Sequence, residues 1–300
     1  MLRFYTVDVF TSDRYSGNPL AVVLGADELN DQQMLAIAGE FNLSETTFVC
    51  KPKDSANTAN VRIFTPKAEM PFAGHPNVGT AWVLANFGKS LGFEAKDNGF
   101  VFEEIAGLVP VDLLETDGEV NGARLTSPQP LDVGTEVPVD VVAAACGLEP
   151  SDIDVSRHNP LQASCGTGFI VVEVKDRATL ASASPRNEVF ENQFERSWAT
   201  GVHLYVRDSS RQDFVHTRMF APLHGVAEDP ATGSANVVLV GLLAHLDGAR
   251  DLTLNVDIEQ GRDMGRTSLL SATAIKENGV VTATQIGGQC AGVMSGTLAV

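Results

Sequence analysis

Two stretches of the chain, Gly79–Phe87 (GTAWVLANF) and Gly233–Leu246 (GSANVVLVGLLAHL), are apolar nearly all round instead of along one stripe. A helix without a polar face has to be enclosed, so both are predicted to lie inside the molecule. Ahead of each runs a strand-like alternation closed by proline, VRIFTP at Val61–Pro66 and TRMFAP at Thr217–Pro222. Both read R-x-F-x-P, and proline, which has no N–H to give, ends a strand. Between alternation and helix the chain twice passes through a similar doorway. His75-Pro76-x-x-Gly79-Thr80-Ala81 aligns without a gap on Asp229-Pro230-x-x-Gly233-Ser234-Ala235. The arginines are 156 residues apart (218 minus 62) and the doorways 154 (229 minus 75), a two-residue deletion in the loop between. Two matches in the same order predict two similar halves.

Most other periodic segments are short and strand-like: Phe4–Phe10, Leu20–Leu24, Thr46–Cys50, Phe169–Val174, His203–Val206, Leu252–Val256, Ser268–Thr273 and Val280–Thr284. Two peripheral helices interrupt them. One follows Asn30, an N-cap with Gln33 three residues on, and aligns Met34, Ile37, Ala38 and Phe41 on one face. The other begins near Pro138 and stops at Gly147. The expected fold is α+β, two similar halves spanning 1–127 and 128–300, each a curved sheet wrapped on its central apolar helix. They join near the Pro/Gly/Ser-containing Ser127–Gly134. The last strand, near Gln289–Val300, either pairs in its own half or crosses back to the first.

Composition narrows the function classes. Three hundred residues with 44% hydrophobic and 20% charged content suit a globular chain with a substantial core. The net charge of −17, without a Lys/Arg cluster, argues against nucleic acid and against an anionic membrane surface. The N-terminus lacks a basic segment followed by an apolar one, and Ala235–Leu246 is too short and interrupted to span a bilayer. A cytoplasmic location is therefore expected. Four dispersed cysteines, Cys50, Cys146, Cys165 and Cys290, show no CxxC and suggest neither a zinc site nor a disulfide framework.

The doorways are also where chemistry is expected. Proline fits a first helical turn, which places His75 and Asp229 at or near the N-caps. Helix N-termini carry unpaired N–H groups and partial positive charge, so two of them facing one cleft would suit a small carboxylate. Gly74, Gly79 and Gly233 would let the backbone approach it. Well-capped core helices would look the same, and only the doubling favours the anion site. Glu45, in NLSETTFV, precedes a strand rich in Thr, Phe and Val. It reads either as a solvated strand-end glutamate or, if buried beside a cleft, as a proton carrier.

Together FTSDRYSGNPLAVV, NLSETTFV, FAGHPNVGTAWVL and EDPATGSA, in that order, resemble the PhzF phenazine-biosynthesis-like family over most of the chain. The resemblance implies the diaminopimelate-epimerase-like fold, a site between the halves, a homodimer and isomerisation without a cofactor. It implies that Glu45 is the general acid/base, moving a proton between carbons of a small cyclic dienoic amino acid. His75 and Asp229 would line the same site, orient the substrate and assist protonation. Amides around Gly74, Gly233 and Ser234 would hold its carboxylate, and Asn18 would add a polar contact. Racemases of this fold carry a cysteine at each doorway; with His75 and Asp229 there, a two-thiol racemase is excluded by residue type.

A racemase without thiols and a binding protein that has lost turnover remain as competing expectations, separated by product chirality and by turnover itself. Gly166-Thr167-Gly168 lacks the third glycine of a dinucleotide site and reads as a turn. No Walker A or G-x-S-x-G occurs, the histidines lack ligand spacing, and no metal is expected. His224 is assigned to a surface loop.

Overall fold

The computed structural model describes residues 1–194, 199 and 201–300. The chain forms two compact units, 1–128 with 286–300, and 129–285.

The first unit contains β1 (Leu2–Val9), β2 (Asn18–Leu24), α1 (Asp31–Phe41), β3 (Glu45–Cys50), β4 (Ala59–Phe64), β5 (Glu69–Met70), α2 (Gly74–Val83), β6 (Gly99–Glu104), β7 (Gly107–Thr116) and β8 (Glu119–Thr126). The second contains β9 (Asp132–Glu136), α3 (Val139–Ala145), β10 (Leu161–Ser164), β11 (Gly168–Glu173), α4 (Arg177–Ser182), α5 (Asn187–Gln193), β12 (Gly201–Arg207), β13 (Phe214–Ala221), β14 (Val226–Asp229), α6 (Gly233–Leu246), β15 (Leu252–Gln260), β16 (Ser268–Glu277) and the start of β17 (Val280–Leu298). From Ile286 onward β17 belongs to the first unit, where it pairs antiparallel with β1 and also pairs with β8.

Strand pairing repeats from one unit to the other. In the first, β1–β2 is antiparallel, β2–β3 parallel, β3–β4 and β4–β5 antiparallel, β4–β6 parallel, and β6–β7 antiparallel. In the second, β10–β11, β11–β12, β12–β13, β13–β14, β13–β15 and β15–β16 run through the same series. The fold is α+β with two similar halves.

Each unit packs its strands on one apolar helix. In α2 every residue except Trp82 is buried, and Trp82 donates its indole N–H to the Val120 carbonyl of β8 at 3.1 Å. The helix packs on β1, β2, β3, β7 and β8. In α6, buried from Ala235 through Ala244, the packing is on β10, β11, β15 and β16. The carbonyls at its C-terminal end lack intrahelical partners, and Lys276 of β16 meets them: Nζ donates to Ala244 and His245 at 3.0 and 3.3 Å and to Asp247, just beyond the helix, at 2.7 Å. The Asn30–Gln33 capping box of α1 forms with both bonds at 3.0 Å.

The R-x-F-x-P repeat is a clamp. Arg62 grips Glu69 of β5 through two bonds of 2.7 Å, and Arg218 grips Glu228 of β14 through two of 2.8 Å. Each guanidinium also lies over the phenylalanine two residues on, Phe64 or Phe220. The clamp fixes the short strand that leads into each doorway.

Three expectations about the doorways are corrected. The helices begin at Gly74 and Gly233 with Ala73 and Thr232 as N-caps, so neither His75 nor Asp229 caps a helix. His75 is the second residue inside α2, whereas Asp229 ends β14, three residues before its N-cap. The gapless alignment at 154 is thus not the structural register. Glu69 and Glu228, Gly74 and Gly233, and Asn77 and Asn236 all correspond at 159, and Asn77 and Asn236 each donate to their own N-cap carbonyl at 3.0 Å. The segment 229–232 stays out of the helix because Gln260 occupies its backbone groups, donating to Asp229 O at 2.9 Å and accepting from Thr232 N at 3.1 Å. Finally, Gly79 serves packing and not ligand approach: a Cβ there would stand 2.6 Å from Leu20 Cδ2 and 2.7 Å from Val9 Cγ2.

Candidate active site

In the first unit three of the expected residues meet. Asn18 opens β2, where Gly17 (φ +65°) turns the chain so tightly that a Cβ would overlap the Val9 carbonyl. Glu45 opens β3, the parallel neighbour of β2, in register with Leu20. His75 projects from the first turn of α2. Its Nδ1 lies 3.4 Å from Asn18 Nδ2 and its Nε2 lies 3.4 Å from Glu45 Oε2. The His75 side chain is 5% exposed and that of Glu45 18%.

With the Asn18 amide nitrogen turned toward the ring as donor, Nδ1 accepts and the ring proton sits on Nε2, facing Glu45. Burial lowers the His75 pKa to about 3, so the ring is neutral at physiological pH. The pair is therefore a neutral N–H opposite a carboxyl, and not a salt bridge. Gly74 is buried as the first residue of α2, and the Ala73 side chain offers no cap to the first-turn amides.

In the second unit Asp229 is buried and accepts a 2.6 Å hydrogen bond from the Thr232 hydroxyl. Gly233 and Ser234 are the first two residues of α6, and the Thr232 side chain does not cap that helix either. Instead its hydroxyl joins Gln260, Asn236 and His203 in a buried polar network. His203 is also held neutral, burial lowering its pKa to about 4.

The sequence reading missed this network, and it missed Glu104 at the end of β6. Both Glu104 carboxyl oxygens are buried beside Asn77 of α2, whose own Oδ1 is buried as well. Burial lifts the Glu104 pKa to about 8 against the lowering effect of Asn77. Glu104 stands where Gln260 stands in the second unit, at the end of the strand that follows the buried helix. The available signal was the pair Gly-His-Pro-Asn and Gly-Ser-Ala-Asn, whose shared Gly-x-x-Asn marks the helix register better than the prolines do.

His224 is exposed on the turn after β13. All four cysteines are free and buried, and burial raises every thiol pKa, Cys50 and Cys165 to about 11 and Cys146 to about 12. Among the described residues no three His, Cys, Asp or Glu side chains group to hold a metal ion, and no helix is long and apolar enough to cross a membrane.

The repeated strand pairing around one buried helix in each unit sets the α+β class of this protein, and comparison with known proteins gives its family. The family described as phenazine biosynthesis-like protein (PhzC-PhzF) matches residues 7–296, and the chain belongs to it. It is 36% identical to an uncharacterized isomerase of Mesorhizobium japonicum, over 99% of this chain and 98% of that one. It is 34% identical to the trans-2,3-dihydro-3-hydroxyanthranilate isomerase of Pseudomonas aeruginosa, over 99% of each. The crystal structure of a PhzF-family phenazine biosynthesis protein from Bacillus anthracis superposes with a TM-score of 0.86 at 24% identity, covering 100% of this chain and 99% of that one.

Proposed function

We propose that this isomerase moves a proton between two carbons of a small, cyclic carboxylate or amino acid, with Glu45 as the proton carrier. The observation that carries the reading is the Glu45 carboxyl, mostly buried at the mouth of β3 with its Oε2 facing the neutral His75 Nε2. A carboxylate held there accepts a proton from an sp3 carbon while the electron pair shifts through the adjacent double bond. The carboxylic acid so formed returns the proton to the far carbon of the displaced system. Reactant and product are isomers, so the step balances without an oxidant or reductant.

Neutral His75 donates one hydrogen bond through Nε2 and changes no net charge, which suits orientation more than proton removal. Asp229 has the corresponding orienting role in the second unit. The uncapped first-turn amides at Gly74, Gly233 and Ser234 supply donors for a substrate carboxylate, and Asn18 holds the imidazole in its tautomer. A homodimer in the cytoplasm is the assembly and setting that go with this reading.

The test is deuterium incorporation by NMR in D2O, on small unsaturated and amino carboxylates including trans-2,3-dihydro-3-hydroxyanthranilate. Wild type is expected to place deuterium on carbon, and Glu45→Gln to slow this by roughly 10²- to 10⁴-fold. Exchange at the wild-type rate in Glu45→Gln would remove Glu45 from the mechanism. No exchange by wild type would overturn the substrate class.

A further inference from the structure

Asp229 stands at the end of a chain of hydrogen bonds whose direction can be read bond by bond. Asn236 Nδ2 lies 3.0 Å from the Thr232 carbonyl, which cannot donate, so the amide nitrogen is fixed on that side. Asn236 Oδ1 then faces His203 Nε2 at 3.1 Å, and the imidazole must be the donor. The same Asn236 nitrogen donates to Gln260 Oε1 at 2.8 Å. Gln260 Nε2, oriented by the Asp229 carbonyl at 2.9 Å, donates to Thr232 Oγ1 at 3.0 Å. Having accepted that bond, the hydroxyl points its own proton at Asp229 Oδ2, 2.6 Å away.

We propose that Thr232, Gln260, Asn236 and His203 are positioning residues that fix the Asp229 carboxylate through this one-way relay of donors. Every member passes its N–H or O–H toward Asp229, so each bond polarises the next and all of them favour an accepting oxygen at the end. Main-chain bonds anchor the relay at both ends of the 229–232 segment, which ties the carboxylate's position to the start of α6. Its catalytic consequence rests on the reading of Asp229 as a site residue; the relay itself does not.

The experiment separates the two. Full-length protein labelled with carboxyl-13C aspartate is titrated by NMR, with the Asp229 resonance assigned by its loss in Asp229→Asn. Thr232→Val removes the last donor at nearly constant volume and is expected to raise the Asp229 midpoint by about one unit or more, tenfold or more in proton affinity. Thr232→Ser, which keeps the hydroxyl, is expected to restore the wild-type midpoint. The other ionisable groups on the elements around this carboxyl, among them His203, His216, Arg218, Glu228, Glu259 and Asp263, are retained in every variant. If Thr232→Val does not fold, Gln260→Met serves, because it removes the amide donor to Thr232 without adding a charge and should raise the midpoint in the same direction. A midpoint unmoved in the folded variant overturns the relay. Deuterium exchange by Asp229→Asn then tests the site reading alone: exchange at the wild-type rate there, beside a shifted midpoint in Thr232→Val, leaves the relay standing and removes Asp229 from catalysis.

Discussion

Glu104 and His75 are both buried in the first unit, and burial moves their titrations in opposite senses. Glu104 has a folded pKa of about 8 against an ordinary value of 4.5. Between those values the folded chain holds a proton that the unfolded chain has released, so the Glu104 contribution to stability is complete below about pH 4.5 and is lost as pH rises toward 8. His75 has a folded pKa of about 3 against 6.5, so its contribution is lost as pH falls from 6.5 toward 3. Glu104→Gln, which keeps the shape and stays neutral, is expected to remove the alkaline slope. The gain near pH 9 should be on the order of a few kcal/mol, with little change at pH 5, read as Tm against pH. At this scale the sequence shows residues that announce themselves beside motifs: Asn18, Glu45 and His75 each sit in a recognisable string. Gln260 and Glu104 do not, because an interior amide or acid gains its role only from partners that the fold supplies.

The apolar helices were legible because a helix without a polar face has one place to go. Their first residues were not, since Pro76 and Pro230 suggest the same helical position yet only Pro76 is helical; what separates them is Gln260, some thirty residues downstream of Pro230. The hairpins from Gly99 to Thr126 were missed for a local reason. Pro110 lies inside β7, opposite Val101, and a proline in mid-strand argues against strand when only the sequence is read. Close helix–strand packing yields an element-scale test at Gly79. Gly79→Ala would normally favour a helix, but its methyl would press on Leu20 and Val9, so a loss of about 1–3 kcal/mol is expected in urea unfolding. A neutral or stabilising result would mean that α2 can move off β1 and β2.

For the whole molecule, the paired R-x-F-x-P clamps made duplication readable, and the repeated order of parallel and antiparallel pairs carries it through nearly every strand. The second half of β17 was not readable as a member of either half, since alternation along a strand says nothing about which neighbour it pairs with. It supplies the partner of β1 from Leu2 to Val9. Deleting 286–298 should therefore leave β1 and β8 with open edges. Expected are loss of cooperative unfolding for the first unit and a tendency to aggregate, measured by hydrogen exchange at β1 and β2 amides and by light scattering.

The shared strand also sets an order of events during synthesis. Once β8 has left the ribosome, about 160 residues separate its end from the part of β17 that completes the first unit. At ordinary elongation speeds that is on the order of ten to thirty seconds during which β1 and β8 keep unpaired backbone edges. The first half to be made is thus the last to finish, and the nascent chain must spend that interval shielded by its own sequence or by a chaperone.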